Sequence, residues 1–206
     1  MGEHYYSKNP QVSSAPKHWK AEIRNKMFTF TTDAGVFSKG GIDGGSKLLA
    51  ETFKEPSVEG DLLEIGCGYG PIALSIASDF PERLVHMVDV NERALALSKT
   101  NAQNNQLQNV KIYESNGIDQ VEQAGFAAIL TNPPIRAGKQ TVFSFYEGAY
   151  EKLASGGELW VVIQKKQGAP STVAYLKELF GNVATVAKKK GYFILLAKKI
   201  DSSVIL

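Results

Sequence analysis

The stretch with the most chemical content is Ala128-Ile129-Leu130-Thr131-Asn132-Pro133-Pro134-Ile135, an apolar run ending in asparagine and two prolines. Consecutive prolines remove two backbone donors and fix φ at both positions. They also hold Asn132 out of the helical region. The outcome is a rigid turn with carbonyls free to accept and an amide oxygen beside them, which suits an amino group with two hydrogens to donate. A second such stretch comes earlier, Glu64-Ile65-Gly66-Cys67-Gly68-Tyr69-Gly70-Pro71. Alternating glycines leave no side chains in the turn, so the backbone can approach a ligand closely. Pro71 stands where a dinucleotide fingerprint needs glycine, and Glu64 would repel a pyrophosphate while favouring a cationic amine. Asp89 follows 19 residues past Gly70. An acidic residue at about that distance commonly binds ribose hydroxyls, and a carboxylate can accept from both at once.

These residues need a sheet whose carboxyl edge gathers them. From Asp61 onward, strand and helix patterns alternate. Strands are expected near 61–66, 84–90, 109–114, 126–131, 157–164, 183–188 and 191–199. Helices are expected near 44–55, 71–80, 91–104, 117–123, 139–154 and 170–180. This alternation predicts a mainly parallel α/β sheet covered on both faces. The short connection between the last two strands forces an antiparallel pair. Upstream, residues 1–18 read as an extended arm and 19–31 as a hairpin. A glycine-rich segment, 35–46, follows, in which Ser46 could cap the next helix and which reads as a lid or floor for a pocket. The expected organisation is one domain: the arm, a hairpin and helix over 19–55, and a core over 56–200.

Composition narrows the function. The chain of 206 residues is 43% hydrophobic and 21% charged, ordinary for a globular protein. The lone cysteine, Cys67, allows no internal disulfide. No apolar run approaches the ~20 residues of a membrane span, and residues 1–11 lack the apolar stretch of a signal peptide. A cytoplasmic protein is the expectation. The three histidines, His4, His18 and His86, have no ligand spacing, so no metal site is expected. Charge is segregated. Residues 1–31 hold five basic and two acidic residues, 32–130 hold seven and fourteen, and 131–206 hold eleven and five. Basic ends of this kind can mark a polyanion partner, although lysines also solvate ordinary surfaces.

The Glu64 to Gly70 turn resembles the first motif of class I S-adenosylmethionine-dependent methyltransferases. Asn-Pro-Pro resembles the motif of those that act on planar nitrogens of adenine, guanine or glutamine side chains. Taken with Gly35-Val36-Phe37-Ser38, the stretch Asn132-Pro133-Pro134-Ile135-Arg136-Ala137-Gly138-Lys139 is similar to the small-subunit ribosomal RNA guanine-N2 methyltransferase (RsmC-like) family, over about residues 19–199. Two features depart from it: better-known members carry a further domain in front, and Ile135 stands where many have an aromatic residue. The resemblance implies a Rossmann-like fold with a seven-stranded, mainly parallel sheet and an antiparallel C-terminal hairpin. It implies S-adenosyl-L-methionine as cofactor, held by Phe37, Ser38, Glu64, Gly66, Cys67, Gly68, Gly70, Asp89, Val90, Asn116, Gly117 and Asn132, with Asn116 facing the adenine. It implies catalysis at Asn132, Pro133, Pro134 and Ile135, and phosphate contacts from Arg136 and Lys139. The implied partner is ribosomal RNA or the small ribosomal subunit, the enzyme being a monomer or homodimer. A protein glutamine or DNA adenine methyltransferase, or a non-catalytic RNA-binding module, are the alternatives. Cys67 is not expected to be a nucleophile.

Overall fold

A computed structural model of the protein describes residues 6–201; His4 and the start of the expected arm lie outside the described residues. The chain first forms a hairpin of β1 (Lys17–Ile23) and β2 (Lys26–Thr32). Arg24 and Asn25, both at positive φ, make its two-residue turn, which suits the right-handed twist of paired strands. The glycine-rich segment leads to α1 (Gly44–Thr52). The core then runs β3 (Leu62–Ile65), α2 (Pro71–Asp79), β4 (Val85–Asp89), α3 (Glu92–Asn104), β5 (Val110–Glu114) and β6 (Phe126–Thr131). It continues with α4 (Lys139–Lys152), β7 (Leu153–Gln164), α5 (Ala169–Phe180), β8 (Ala184–Lys189) and β9 (Tyr192–Lys198).

The seven-stranded sheet has the order β5-β4-β3-β6-β7-β9-β8. The pairs among β3 to β7 are parallel, and β9 pairs antiparallel with both β7 and β8. From β3 the chain steps to β4 and β5 on one side and returns to lay β6 on the other. That reversal opens a crevice at the carboxyl ends of β3, β4 and β6, where ligands bind in open α/β sheets.

Alternation along each strand builds two cores. In β3, Leu62 faces one with Leu74, Ile76 and Met87, while Leu63 and Ile65 face the other with Val88, Ile129 and Tyr146. Each fully buried aliphatic side chain contributes about 1.5–3 kcal/mol. Glu64 shares the α2 side of the sheet with Leu62, which brings a carboxylate under the start of that helix.

Several expectations are corrected. The segment 117–123 is a turn, not a helix: Asp119 N donates to Asn116 O and Val121 N to Ile118 O, single-turn bonds that do not propagate. Ser115 Oγ and the Gln120 side chain accept from backbone amides there, competing with helix. β7 begins at Leu153, four residues earlier than expected, with an irregularity opposite Phe126 and Ala128. β1 already begins at Lys17, inside the expected arm. Asp43, not Ser46, caps α1, its Oδ2 accepting from Ser46 N at 3.0 Å.

Candidate functional site

After β3, Gly66 N and Cys67 N both donate to Val88 O at 2.9 Å, and Gly70 N donates to Cys67 O at 3.0 Å. The turn is thereby stitched across β4, and Gly68 N points at Asp89 Oδ2, 2.8 Å away. The other Asp89 oxygen accepts from Asn91 N at 2.9 Å, and Asn91 caps α3 through Ala94 N. Glu64 Oε1 accepts from Ala73 N at 3.1 Å, so this carboxylate caps α2, whose own N-cap, Gly70, has no side chain to do so. Both carboxyls line one cleft.

Burial pushes the Glu64 carboxyl well above its usual range, with the Asp89 charge adding to the rise and the Ala73 N–H opposing it. Burial also raises Asp89, against N–H groups of Asn91, Gly68 and Val90. The Cys67 thiol is buried and its pKa is pushed well above 9.0 by desolvation first and then by Asp89 and Glu64. Burial of this kind disfavours the thiolate that nucleophilic attack requires.

The cleft encloses about 810 Å³, its open mouth included. Of the residues implied by the sequence, it gathers Phe37, Ser38, Glu64, Gly66, Cys67, Gly68, Asp89, Val90, Gly117, Asn132, Pro133 and Pro134. Gly70 sits behind the lining, against Leu74 and Met87. Asn116 is exposed and not part of the lining; its Oδ1 accepts from the OH of Tyr6, a lining residue, at 2.7 Å. Ile135 and Arg136 line an adjoining open basin, which shares Phe37, Ser38, Asp43, Asn132 and Pro133 with the cleft and adds Lys39 and Tyr192. Lys139 lies further out, its ammonium 5.2 Å above the Phe143 ring.

The structure adds residues that the sequence did not single out. Tyr6 and Phe145 wall the cleft beside Ser115 and Gly117. Tyr6 is carried there by the arm: Lys8 pairs with Glu114 at 2.7 Å, Glu92 N donates to Lys8 O, and Ser14 Oγ donates to Asp33. At the opposite end, Asn132 Nδ2 donates to Ser46 Oγ at 2.9 Å and Asp43 Oδ2 at 3.2 Å. In the sequence Ser46 stands out only as a possible helix cap and Asp43 not at all, because their reach to Asn132 depends on packing. Thr131 Oγ1 donates to Ile65 O at 3.0 Å, tying β6 to β3 below.

The arrangement fits a ligand with a cationic end and a hydroxylated ring. Carboxylates flank the turn, and a Cβ built on Gly66 or Gly68 would meet no protein atom within 4 Å. Both glycines line the cleft, and its wall of Tyr6, Phe145 and Ser115 suits a flat heterocycle.

A Rossmann-like sheet with this glycine turn after β3, an acidic residue ending β4 and Asn-Pro-Pro following β6 defines an S-adenosylmethionine-dependent methyltransferase. The chain belongs to the methyltransferase small domain family, whose model matches residues 27–196. It is 58% identical to Bacillus subtilis YbxB, an uncharacterized protein, over 97% of this chain and all of that one. It is 33% identical to ribosomal RNA small subunit methyltransferase C of Salmonella typhi, over 93% of this chain and 56% of the relative. Among solved structures, T. thermophilus 16S rRNA N2 methyltransferase RsmC, in complex with AdoMet and guanosine, superposes with a TM-score of 0.78. That match is 28% identical and covers 92% of this chain and 52% of the other. The chain thus spans about half the length of these two RNA methyltransferases. Among the described residues, no cluster of metal-ligating side chains occurs, and no helix is long and apolar enough to cross a membrane.

Proposed function

We propose that this protein transfers the S-adenosylmethionine methyl group to the exocyclic N2 amino group of a guanine in ribosomal RNA. The observation that carries the reading is the Asn132 amide. Its nitrogen is engaged by Asp43 and Ser46, which leaves Oδ1 as an acceptor between the cleft and the open basin. Names of relatives that match nearly all of this chain support RNA as the substrate, as do the basic residues of 131–206.

Glu64 would attract the cofactor's ammonium, Asp89 its ribose hydroxyls, and the wall of Tyr6, Ser115, Gly117 and Phe145 its adenine. The bound cofactor supplies an electrophilic methyl group on a sulfonium. The base enters from the basin, against Phe37 and Ile135, with Arg136 and Lys39 placed for phosphates. A guanine amino nitrogen is a poor nucleophile because its lone pair is delocalised into the ring. Asn132 Oδ1 and the Pro133 carbonyl accept its two hydrogens, which draws the nitrogen toward tetrahedral geometry and aims the lone pair. This is positioning and charge stabilisation; no side chain is needed as a strong base before transfer, after which the nitrogen's surplus proton would pass to water and the cofactor would leave as the neutral thioether. A base within folded RNA must first be exposed or flipped out.

The test offers labelled S-adenosylmethionine with naked ribosomal RNA, each ribosomal subunit, total protein and DNA in parallel, followed by digestion to nucleosides and amino acids. N2-methylguanosine from RNA or a subunit is expected. Label in glutamine or adenine instead would keep the site and overturn the substrate. Asn132→Ala should lower transfer by at least about 100-fold while cofactor binding persists; transfer surviving that change would refute the mechanism.

A further inference from the structure

We propose that Asp43, Ser46 and Tyr192 form a brace that fixes the Asn132 amide with its nitrogen toward the protein and its oxygen toward the cleft. The role is one of positioning, and it rests on the reading of Asn132 as an acceptor. Asn132 Nδ2 has two hydrogens and two acceptors, Ser46 Oγ at 2.9 Å and Asp43 Oδ2 at 3.2 Å. Turned over, the amide would set Oδ1 against the Asp43 carboxylate oxygen, acceptor against acceptor, and only the Ser46 hydroxyl could still donate to it. The Asp43 carboxylate therefore selects one of two otherwise similar rotamers, and the Ser46 hydroxyl supports it.

The brace is itself held. Asp43 Oδ2 also accepts from Ser46 N at 3.0 Å, and its Oδ1 accepts from Tyr192 OH at 3.3 Å. Ser46 is only 6% exposed, so water competes poorly for its hydroxyl. Packing closes it further: a Cβ on Gly45 would stand 2.7 Å from two Tyr192 ring carbons and 3.1 Å from Asp43 Oδ2. The start of α1, the end of β6 and the start of β9 converge here, and no two of them are neighbours in sequence. The glycine-rich segment leading into α1 has, on this view, a purpose besides forming a wall: it delivers a carboxylate and a hydroxyl to the back of the reacting turn.

The test pairs a spectroscopic readout with kinetics on the full chain. The side-chain amide signals of Asn132 are assigned by their loss in Asn132→Ala. In Ser46→Ala, which retains the Asp43 cap, one Nδ2 hydrogen should move toward the position of a solvated amide. Initial rates are measured on small ribosomal subunits purified from cells lacking the gene. For Ser46→Ala, kcat should fall about 3-fold to 10-fold, the effect of one lost hydrogen bond, with cofactor Kd changed by less than about 3-fold. Asp43→Ala should lower kcat about 100-fold, as a misplaced reacting group does. Asp43→Asn retains an oxygen for Ser46 N and Asn132 Nδ2, and should recover most of that loss. Gly45→Ala, which otherwise favours helix, should lower kcat by pressing on Tyr192 and Asp43.

Unmoved Asn132 signals in both Ser46→Ala and Asp43→Ala would overturn the brace. Moved signals with wild-type kcat would overturn its role in positioning, as would failure of Asp43→Asn to outperform Asp43→Ala. Absence of transfer by the wild-type enzyme would instead count against the proposed substrate, and the amide signals would still decide whether the brace exists.

Discussion

Two alanine substitutions in one turn should separate binding from folding. Gly68 has φ +57 and Gly70 φ +103, conformations that cost alanine roughly 1–2 kcal/mol. Their surroundings differ. A Cβ at Gly68 meets nothing within 4 Å, whereas at Gly70 it lies 2.8 Å from Leu74 Cδ1 and 3.0 Å from Met87 Cε. Leu74 and Met87 are fully buried, so they can give way only by disturbing their neighbours, an overpacking cost of about 1–3 kcal/mol. Gly68→Ala should then lose about 1–2 kcal/mol and Gly70→Ala about 2–5 kcal/mol. For a chain of this size those losses correspond to about 2–8 °C and 4–20 °C in melting midpoint. Affinity should run the other way. Gly68 lines the cleft, so on the proposed placement of the cofactor the added methyl should raise its Kd at least about 10-fold, or about 1.4 kcal/mol. Gly70 lies behind the lining, so folded Gly70→Ala should bind within about 3-fold of wild type. Thermal melts without cofactor and calorimetric titration with S-adenosylmethionine measure both. Gly68→Ala binding cofactor as tightly as wild type would refute the placement of the ligand on this turn.

Other expected outcomes follow from single contacts. Tyr6→Ala removes one wall of the cleft and should weaken cofactor binding about 3-fold to 10-fold, read by the same titration, with little change in stability. Arg83 should matter to stability alone. Its guanidinium donates to Val58 O, Gly60 O, Pro56 O and Glu55 at 2.8–3.0 Å, and Arg83→Ala should cost about 2–4 kcal/mol by denaturant unfolding. His86 gives a pH signature. Burial holds its imidazole below the usual 6.5, against the pull of Asp61. A lowered folded pKa means that the unfolded state binds the proton more readily, so this stability is intact above about pH 6.5 and declines as pH falls through the folded value. The melting midpoint should drop between pH 7 and pH 5, and less steeply in His86→Gln.

The order of elements and the chemistry at the strand ends are legible in the amino-acid order alone. Glycines in the turn, an acidic residue after β4 and the rigid Asn-Pro-Pro turn each act through local backbone constraints, so they are legible without a partner. Alternating patterns likewise announced the seven strands and the antiparallel end of the sheet. Legibility failed where local signals competed or where the partner was distant. Residues 117–123 carry a helical pattern, but Ser115 and Gln120 side chains satisfy the backbone in another way. Asn116 is not itself among the residues lining the cleft and instead holds the hydroxyl of Tyr6, which is, a contact with the arm that lies 110 positions away and has no local signal. Arg83, with its partners in the segment before β3, looked like any surface cation. Packing of distant elements is what makes Tyr6 of the arm wall the cleft and brings Asp43 and Ser46 to Asn132 across 89 and 86 positions of chain. Such contacts follow from how helices and hairpin dock on the sheet, a packing of the whole chain that no local pattern encodes.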